Sequence, residues 1–190
     1  MSSPAAKIGP YVLSECLESG SSVQLWLADR EGATVAIRLV VDPSDELAVE
    51  QWRAELEMLK SIGSSSVPKV DAVFEDERAF VLEWSPESGV DDYVRQVEES
   101  GEGWSVEEAI ALGLSILQTL DTLPGPHGNL SPKNLRKRSD DSLCVYAFGV
   151  QPERVSPRYM APEMAGQGQV GVVTDQWHVA AILFELVMGR

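Results

Sequence analysis

The spacing of apolar and polar residues changes twice along the chain, and each change marks a different kind of element. Residues 11–17, 23–28 and 34–41 are short apolar or β-branched runs, the last reading Thr-Val-Ala-Ile-Arg-Leu-Val-Val. The turn-rich stretches Glu18-Ser-Gly-Ser-Ser22 and Asp29-Arg-Glu-Gly32 separate them, which predicts three consecutive antiparallel strands. The period then lengthens. Asp42-Pro-Ser-Asp45 is a helix start signal, and beyond it Ala48, Val49, Trp52, Leu56, Leu59 and Ile62 fall on one helical stripe. Alternation returns in residues 70–74 and 78–84, around the turn Glu75-Asp-Glu77, and predicts two further strands. Residues 85–89 break the pattern. The rest of the chain is mostly helical: Ser105-Val-Glu-Glu108 is a capping box opening a helix to about residue 123. Residues 174–188 are apolar on nearly every face, the pattern of a helix in the middle of a protein.

One position breaks the helical stripe. Glu55 lies three residues from Trp52 and four from Leu59, so it projects from inside the apolar face, whereas Glu57 points away. A carboxylate aimed at a core needs a cation or donors, or it must protonate. The elements together give an α+β architecture in two lobes. A tail (1–10) precedes a small lobe of five antiparallel strands and one helix (11–84), and a helix-rich lobe fills 85–190. No internal repeat or low-complexity segment is evident.

Charge and composition narrow the function. The chain has 190 residues, 44% of them hydrophobic, enough for a real interior, and a formal net charge of −15. That balance excludes nucleic acid as a partner, because phosphate binding needs clustered Lys and Arg. The one basic run, residues 133–138, reads as a solvated loop end. Cys16 and Cys144 stand far apart in apolar surroundings and form neither a disulfide framework nor a metal pattern, which suits a reducing compartment. The first residues, Met-Ser-Ser-Pro-Ala-Ala-Lys, contain no apolar run of the signal-peptide kind. The most apolar stretch, residues 179–188, is too short to span a bilayer and is interrupted by Glu185. A soluble, cytoplasmic protein with no membrane partner is expected.

Five segments carry a family resemblance. Val35-Ala-Ile-Arg38 resembles the strand motif V-A-I-K, His127-Gly-Asn-Leu-Ser-Pro-Lys-Asn134 the catalytic loop H-R-D-L-K-P-E-N, and Ala147-Phe-Gly149 the motif D-F-G. Arg158-Tyr-Met-Ala-Pro-Glu163 resembles the end of an activation segment, and Thr174-Asp-Gln-Trp running on to Phe184-Glu-Leu-Val-Met-Gly-Arg190 resembles the central helix of a large lobe. In this order and spacing they resemble the eukaryotic-type serine/threonine protein kinase family, and they cover nearly the whole chain. The resemblance implies a protein kinase-like two-lobed fold whose large lobe is incomplete, since the family continues through further helices.

The same resemblance shows which catalytic parts differ. The glycine loop corresponds to Leu17-Glu-Ser-Gly-Ser-Ser-Val23, where only Gly20 remains, and Glu18 and Val23 oppose a bound triphosphate. Arg38 replaces the family lysine, remains cationic and can pair with Glu55, more as a structural ion pair than as a phosphate contact. Asn129 replaces the aspartate that accepts the substrate proton, a loss typically worth about 10²–10⁴-fold. Gly128 replaces the loop arginine and Ser131 the loop lysine. Ala147 replaces the magnesium-binding aspartate, leaving Asn134 as a poor lone ligand for that ion. The supports persist: His127 and Asp175 match positions that hold the loop in shape, Glu163 matches a glutamate that pairs with a later arginine, and Phe148 and Gly149 keep the packing half of D-F-G. Ser156 sits where a regulated loop carries phosphate, but with Gly128 in place of the arginine it lacks the usual receiver.

Three functions are implied by the resemblance. The leading one is a catalytically inactive pseudokinase that binds and regulates a protein partner, either an active kinase or the remaining large-lobe segment, with no cofactor. The second is a low-activity serine/threonine kinase using ATP and Mg²⁺. The third is a nucleotide sensor without turnover, binding through Gly20, Arg38, Glu55, Leu82 and Glu83, with residues 83–85 as the hinge. The terminal apolar helix is expected to leave Ile182, Leu183, Leu186 and Val187 open unless something covers them.

Overall fold

The alternating segments pair into a single antiparallel sheet. The computed structural model describes residues 6–20, 22–62, 66–85, 89–147, 156–166 and 169–189. Strands β1 (Lys7–Ile8), β2 (Tyr11–Ser19), β3 (Val23–Arg30), β4 (Ala33–Val40), β5 (Val70–Phe74) and β6 (Ala79–Leu82) lie in the order β1-β2-β3-β4-β6-β5. The five strands legible in the sequence are all present. The sixth, β1, falls in the stretch expected to be a tail: Lys7 and Ile8 turn back at Gly9-Pro10 to pair with Val12 and Tyr11, and two residues are too few to alternate visibly.

Both faces of the sheet are covered. One carries the buried cluster Tyr11, Ala28, Ile37, Ala79 and Val81, with the Tyr11 and Phe74 rings edge to face at 6.1 Å. The other carries Val23, Leu25, Ala36, Val40 and Phe80, all buried, and receives helix α1 (Glu46–Ser61). Asp45 caps α1 by accepting from the Ala48 N–H at 3.0 Å, and Trp52 packs on Phe80 with ring centroids 5.7 Å apart. Trp52 and Phe80 are among the largest fully buried side chains, so the helical stripe finds its counterpart in the sheet.

The chain divides into two units, Met1–Gly63 with Pro68–Pro86, and Ser64–Val67 with Glu87–Arg190. The sequence pattern alone assigns everything up to residue 84 to the first unit. Residues 66 and 67 depart from it because their backbone belongs to the second: the Val145 N–H donates to the Ser66 carbonyl at 2.9 Å, and the Arg138 guanidinium donates to the Val67 carbonyl at 3.0 Å. The second unit holds helices α2 (Val90–Ser100), α3 (Val106–Asp121), α4 (Pro162–Ala165) and α5 (Val172–Met188) and the hairpin of β7 (Leu135–Lys137) with β8 (Leu143–Val145). Ser105 and Glu108 form the expected box, at 3.2 and 2.9 Å. Helix α2 is quieter in sequence because only Val90, Val94 and Val97 are buried on it. The basic run is not a solvated loop end. Its residues 135–137 form β7, Lys137 lies over the Tyr93 ring at 5.5 Å, and Arg138 is spent on Val67.

Helix α5 is only half enclosed. Ile182 and Leu186 are fully buried and Leu183 and Val187 half-buried, because α2 and α3 cover that side. The open side is a different stripe, Val173, Trp177, Phe184 and Met188, with Val172 beside it, and α3 leaves Val106, Ile110, Leu114 and Leu117 exposed. Among the described residues no helix is long and apolar enough to cross a membrane.

The chain entering α3 passes close beneath the end of α5, where the Trp104 N–H donates to the Leu186 carbonyl at 2.8 Å. A Cβ on Gly103 would stand 2.0 Å from the Val187 carbonyl oxygen. Gly103→Ala is therefore expected to destabilise the protein by about 1–3 kcal/mol, measured by urea unfolding. An unchanged midpoint would show that this approach is not tight.

Candidate functional site

The charged part of the site sits on the helix-covered face of the sheet. Cross-strand pairing places Glu18 opposite Leu25, Leu25 opposite Arg38, and Arg38 opposite Phe80, so these side chains share one face. The stripe of α1 delivers Glu55 to the same place. Arg38 Nε donates to Glu55 Oε2 at 2.9 Å and Arg38 Nη1 donates to Glu18 Oε2 at 2.6 Å. Burial works against the Arg38 charge, but the Glu55 and Glu18 carboxylates outweigh it and hold the guanidinium above its ordinary value. The buried carboxylate legible in the helical pattern thus has its cation. The second acid, Glu18, shows in the sequence only as a repulsive loop residue; its partnership with Arg38 depends on strand register, which local pattern does not reveal.

The other first-unit residues serve the sheet. Leu82 is buried on β6 opposite Ala36. Glu83 gives its main-chain N–H to the Lys69 carbonyl at 2.8 Å, and its carboxylate accepts from the Lys69 N–H at 3.4 Å. Gly20 follows the end of β2, and its neighbour 21 lies outside the described residues.

In the second unit a loop is held by a helix terminus. Asp175, in the first turn of α5, accepts from the His127 N–H at 2.7 Å and from the Gly128 N–H at 2.9 Å. The chain turns at Gly128 with φ +76°, a conformation favouring glycine. His127 is 1% exposed. Its Nδ1 accepts from the Asn129 N–H at 3.2 Å, which assigns the proton to Nε2, donated to the Tyr146 carbonyl at 2.9 Å. Asn129 Nδ2 donates to the Ala147 carbonyl at 3.4 Å, Asn134 Nδ2 to the Asn129 carbonyl at 2.6 Å, and the Asn134 N–H to the Ser131 carbonyl at 3.0 Å. The structure therefore brings Asn129, Ser131, Asn134 and Ala147 together; Phe148 and Gly149 lie outside the described residues.

The chemistry of this cluster is that of amides and main chain. None of Asn129, Ser131, Asn134 and Ala147 carries a carboxylate, and Asp175 is engaged with two N–H groups. Among the described residues no three His, Cys, Asp or Glu side chains gather where a metal ion could sit. The donor set does not fit a hard divalent cation. Ala147 itself is in the left-handed region at φ +59°, where Asp and Asn are better tolerated than Ala.

Two further features are not evident from the sequence. Glu185, 2% exposed on α5, is bonded by the Tyr159 hydroxyl and by the Arg158 guanidinium, which also reaches Glu98 at 3.0 Å. Burial and the bond to Glu185 push the Tyr159 hydroxyl upward. An acid within an apolar helix is the one signal that could have found this group. Glu163, expected to await an arginine, accepts from the Thr174 hydroxyl at 2.6 Å, a bond that lowers its carboxyl. Ser156 is exposed.

The fold and these two groups of residues are similar to those of a protein kinase-like domain, and the relatives that align with the chain are serine/threonine protein kinases. No family model matches the chain, but its relatives align over nearly its whole length. It is 27% identical over 203 residues to the serine/threonine-protein kinase ATG1c of Arabidopsis thaliana, covering 96% of this chain and 27% of that protein. It is 26% identical over 204 residues to the serine/threonine-protein kinase ULK3 of Rattus norvegicus, covering 97% and 43%. A calcium/calmodulin-dependent protein kinase type 1 of Macrobrachium nipponense is 23% identical over 197 residues, covering 94% and 56%. The chain spans only 27%, 32% and 28% of three Arabidopsis relatives.

Two outcomes test the local physics. Ala147→Gly is expected to stabilise the protein by about 0.5–1 kcal/mol, because relief of the left-handed strain exceeds the added unfolded-state entropy; thermal or urea unfolding measures it. His178, fully buried on α5, accepts at Nδ1 from the Leu130 N–H at 3.3 Å and is pushed below its ordinary pKa by burial, against the opposing pull of Asp175 and Glu163. The unfolded chain then takes up this proton before the folded one. Stability from this group is complete above about pH 6.5 and is lost as pH falls through the lower folded value. Unfolding free energies between pH 7.5 and 5 should show a shallower dependence for His178→Asn than for the wild type.

Proposed function

We propose that this chain is a catalytically inactive protein kinase-like domain, a pseudokinase, that acts as a binding or regulatory module. The observation that carries this reading is Asn129. At the position resembling the catalytic base stands an amide whose nitrogen is already donated to the Ala147 carbonyl. An amide oxygen is not basic at neutral pH, so it cannot take the hydroxyl proton of a substrate. Ala147 adds nothing for magnesium, and Arg38 is committed to two carboxylates. These losses fall within one catalytic unit, and together they remove base, metal anchor and free cation. ATP and Mg²⁺ are accordingly not assigned as cofactors.

A protein partner is the complementary half of the proposal. The exposed stripe of α5 and the exposed apolar residues of α3 are surfaces of the kind that protein contacts cover. A second protein, including an active kinase, or further helices of the same polypeptide would serve. Neither Cys16 nor Cys144 forms a disulfide, which suits a cytoplasmic setting.

Incubated with labelled ATP and Mg²⁺, the protein is expected to transfer no phosphate to itself or to a generic substrate. The triple variant Asn129→Asp, Ala147→Asp, Arg38→Lys should remain inactive, because Glu18, Val23 and Ser131 are still in place. Metal-dependent transfer by the wild type would overturn the proposal in favour of a low-activity kinase. A thermal shift with ATP but no transfer would turn it toward a nucleotide sensor.

A further inference from the structure

Strand β2 is irregular at two points, between Leu13 and Glu15 and between Cys16 and Glu18, and the second fixes where Glu18 points. Its register runs Cys16 opposite Trp26 and then Glu18 opposite Leu25, so two residues of β2 pass one residue of β3. Leu17 is the extra residue, a β-bulge. With the first bulge kept and this one removed, Glu18 would oppose Gln24, on the other face of the sheet; the two bulges together restore the alternation that begins at Leu13. The second bulge therefore returns the Glu18 side chain to the face that holds Arg38. From there it reaches across β3, over the buried Leu25, to a strand about 10 Å away.

The three charges are not equivalent. Arg38 and Glu55 side chains are 4% and 7% exposed, while that of Glu18 is 20% exposed. Glu55 takes Nε from the helix side, and Glu18 takes Nη1 from the strand that ends at Ser19. The pair Arg38 and Glu55 is already neutral, so Glu18 makes the group net negative. A surplus acid placed on the more accessible arm of a buried cation is not required for charge balance.

We infer that Glu18 is a tethered anion that occupies Arg38 and shuts out phosphate-bearing ligands, an autoinhibitory contact made at the end of β2. Its oxygen holds the place where an exogenous phosphate oxygen would accept from Nη1, and its charge repels any anion that approaches. The inference rests on the kinase-like reading of Arg38 but not on the absence of turnover.

The test removes the tether and keeps the ion pair. Binding of metal-free ATP and of inorganic pyrophosphate is measured by calorimetry and thermal shift for the wild type, Glu18→Ala and the double variant Glu18→Ala, Arg38→Met. Glu18→Ala is expected to bind both ligands at least tenfold more tightly than the wild type, and the double variant to lose the gain. Gain for ATP alone would mean that base contacts, not Arg38, are responsible, and would overturn the inference. Equal affinity of Glu18→Ala and the wild type would also overturn it. Should Glu18→Ala fail to fold, Glu18→Gln keeps the hydrogen bond without the charge and is expected to show a smaller gain, its absence counting against the inference. As a check on the unaltered protein, the Arg38 Nε–H resonance should not move with pyrophosphate at concentrations that move it in the variant. Phosphate transfer followed in parallel separates the two ideas: transfer by the wild type defeats the pseudokinase reading alone, and an unchanged binding ratio defeats the tether alone.

Discussion

Much of the second unit hangs on the Asp175 carboxylate, which is 4% exposed and would be costly there without donors. It meets that requirement with two main-chain N–H groups 47 and 48 residues away in sequence. The consequence runs outward: His127 is fixed, its ring orders the Asn129 N–H and the Tyr146 carbonyl, and Leu130 is tied to α5 through His178. A loop of this shape needs no reactive side chain to stay in place. Support and chemistry are carried by different residues, and the chemistry can be lost while the support remains.

The first unit obeys the same rule with the opposite sign. Arg38 is a cation inside a sheet, and a buried cation needs an anionic partner. Glu55 supplies it from the helix, and Glu18 adds a second acid from the end of a strand. The two acids differ in how they are placed, one by helical periodicity and one by strand register, although both end as hydrogen-bonded charge at under 3 Å.

How much of this is legible in sequence depends on the range of the signal. The five strands, α1 and α3 follow from local periodicity and from the caps at Asp45 and Ser105. Glu55 is conspicuous because a single acid interrupts an apolar stripe. Strand β1 is missed because two residues carry no period, and α2 does not stand out because three valines spaced along eleven residues give a weak one. The basic run misleads because the partners of Lys137 and Arg138, Tyr93 and the Val67 carbonyl, lie 44 and 71 residues away. The position of Glu18 opposite Leu25 needs the paired register of β2, with its two bulges, and the grip of Arg158 and Tyr159 on Glu185 needs the tertiary fold. Motif spacing points to Asn129, Asn134 and Ala147, which hydrogen bonds join in one cluster, but the left-handed backbone at Ala147 has no sequence signature, since alanine gives no hint of a positive φ.

The assignment of Ser66 and Val67 to the second unit has a consequence for how the polypeptide can be divided. The backbone passes from one unit to the other three times, before Ser64, after Val67 and after Pro86. No single cut yields two self-sufficient pieces. Scission at the break near residue 86 would carry off the carbonyls that β8 and Arg138 bind, so the larger fragment would lose two hydrogen-bond acceptors it cannot regenerate from its own sequence. The two units are interlaced along the chain rather than strung in tandem, and an exchange of modules between relatives at that junction would have to carry the four-residue insert along with it.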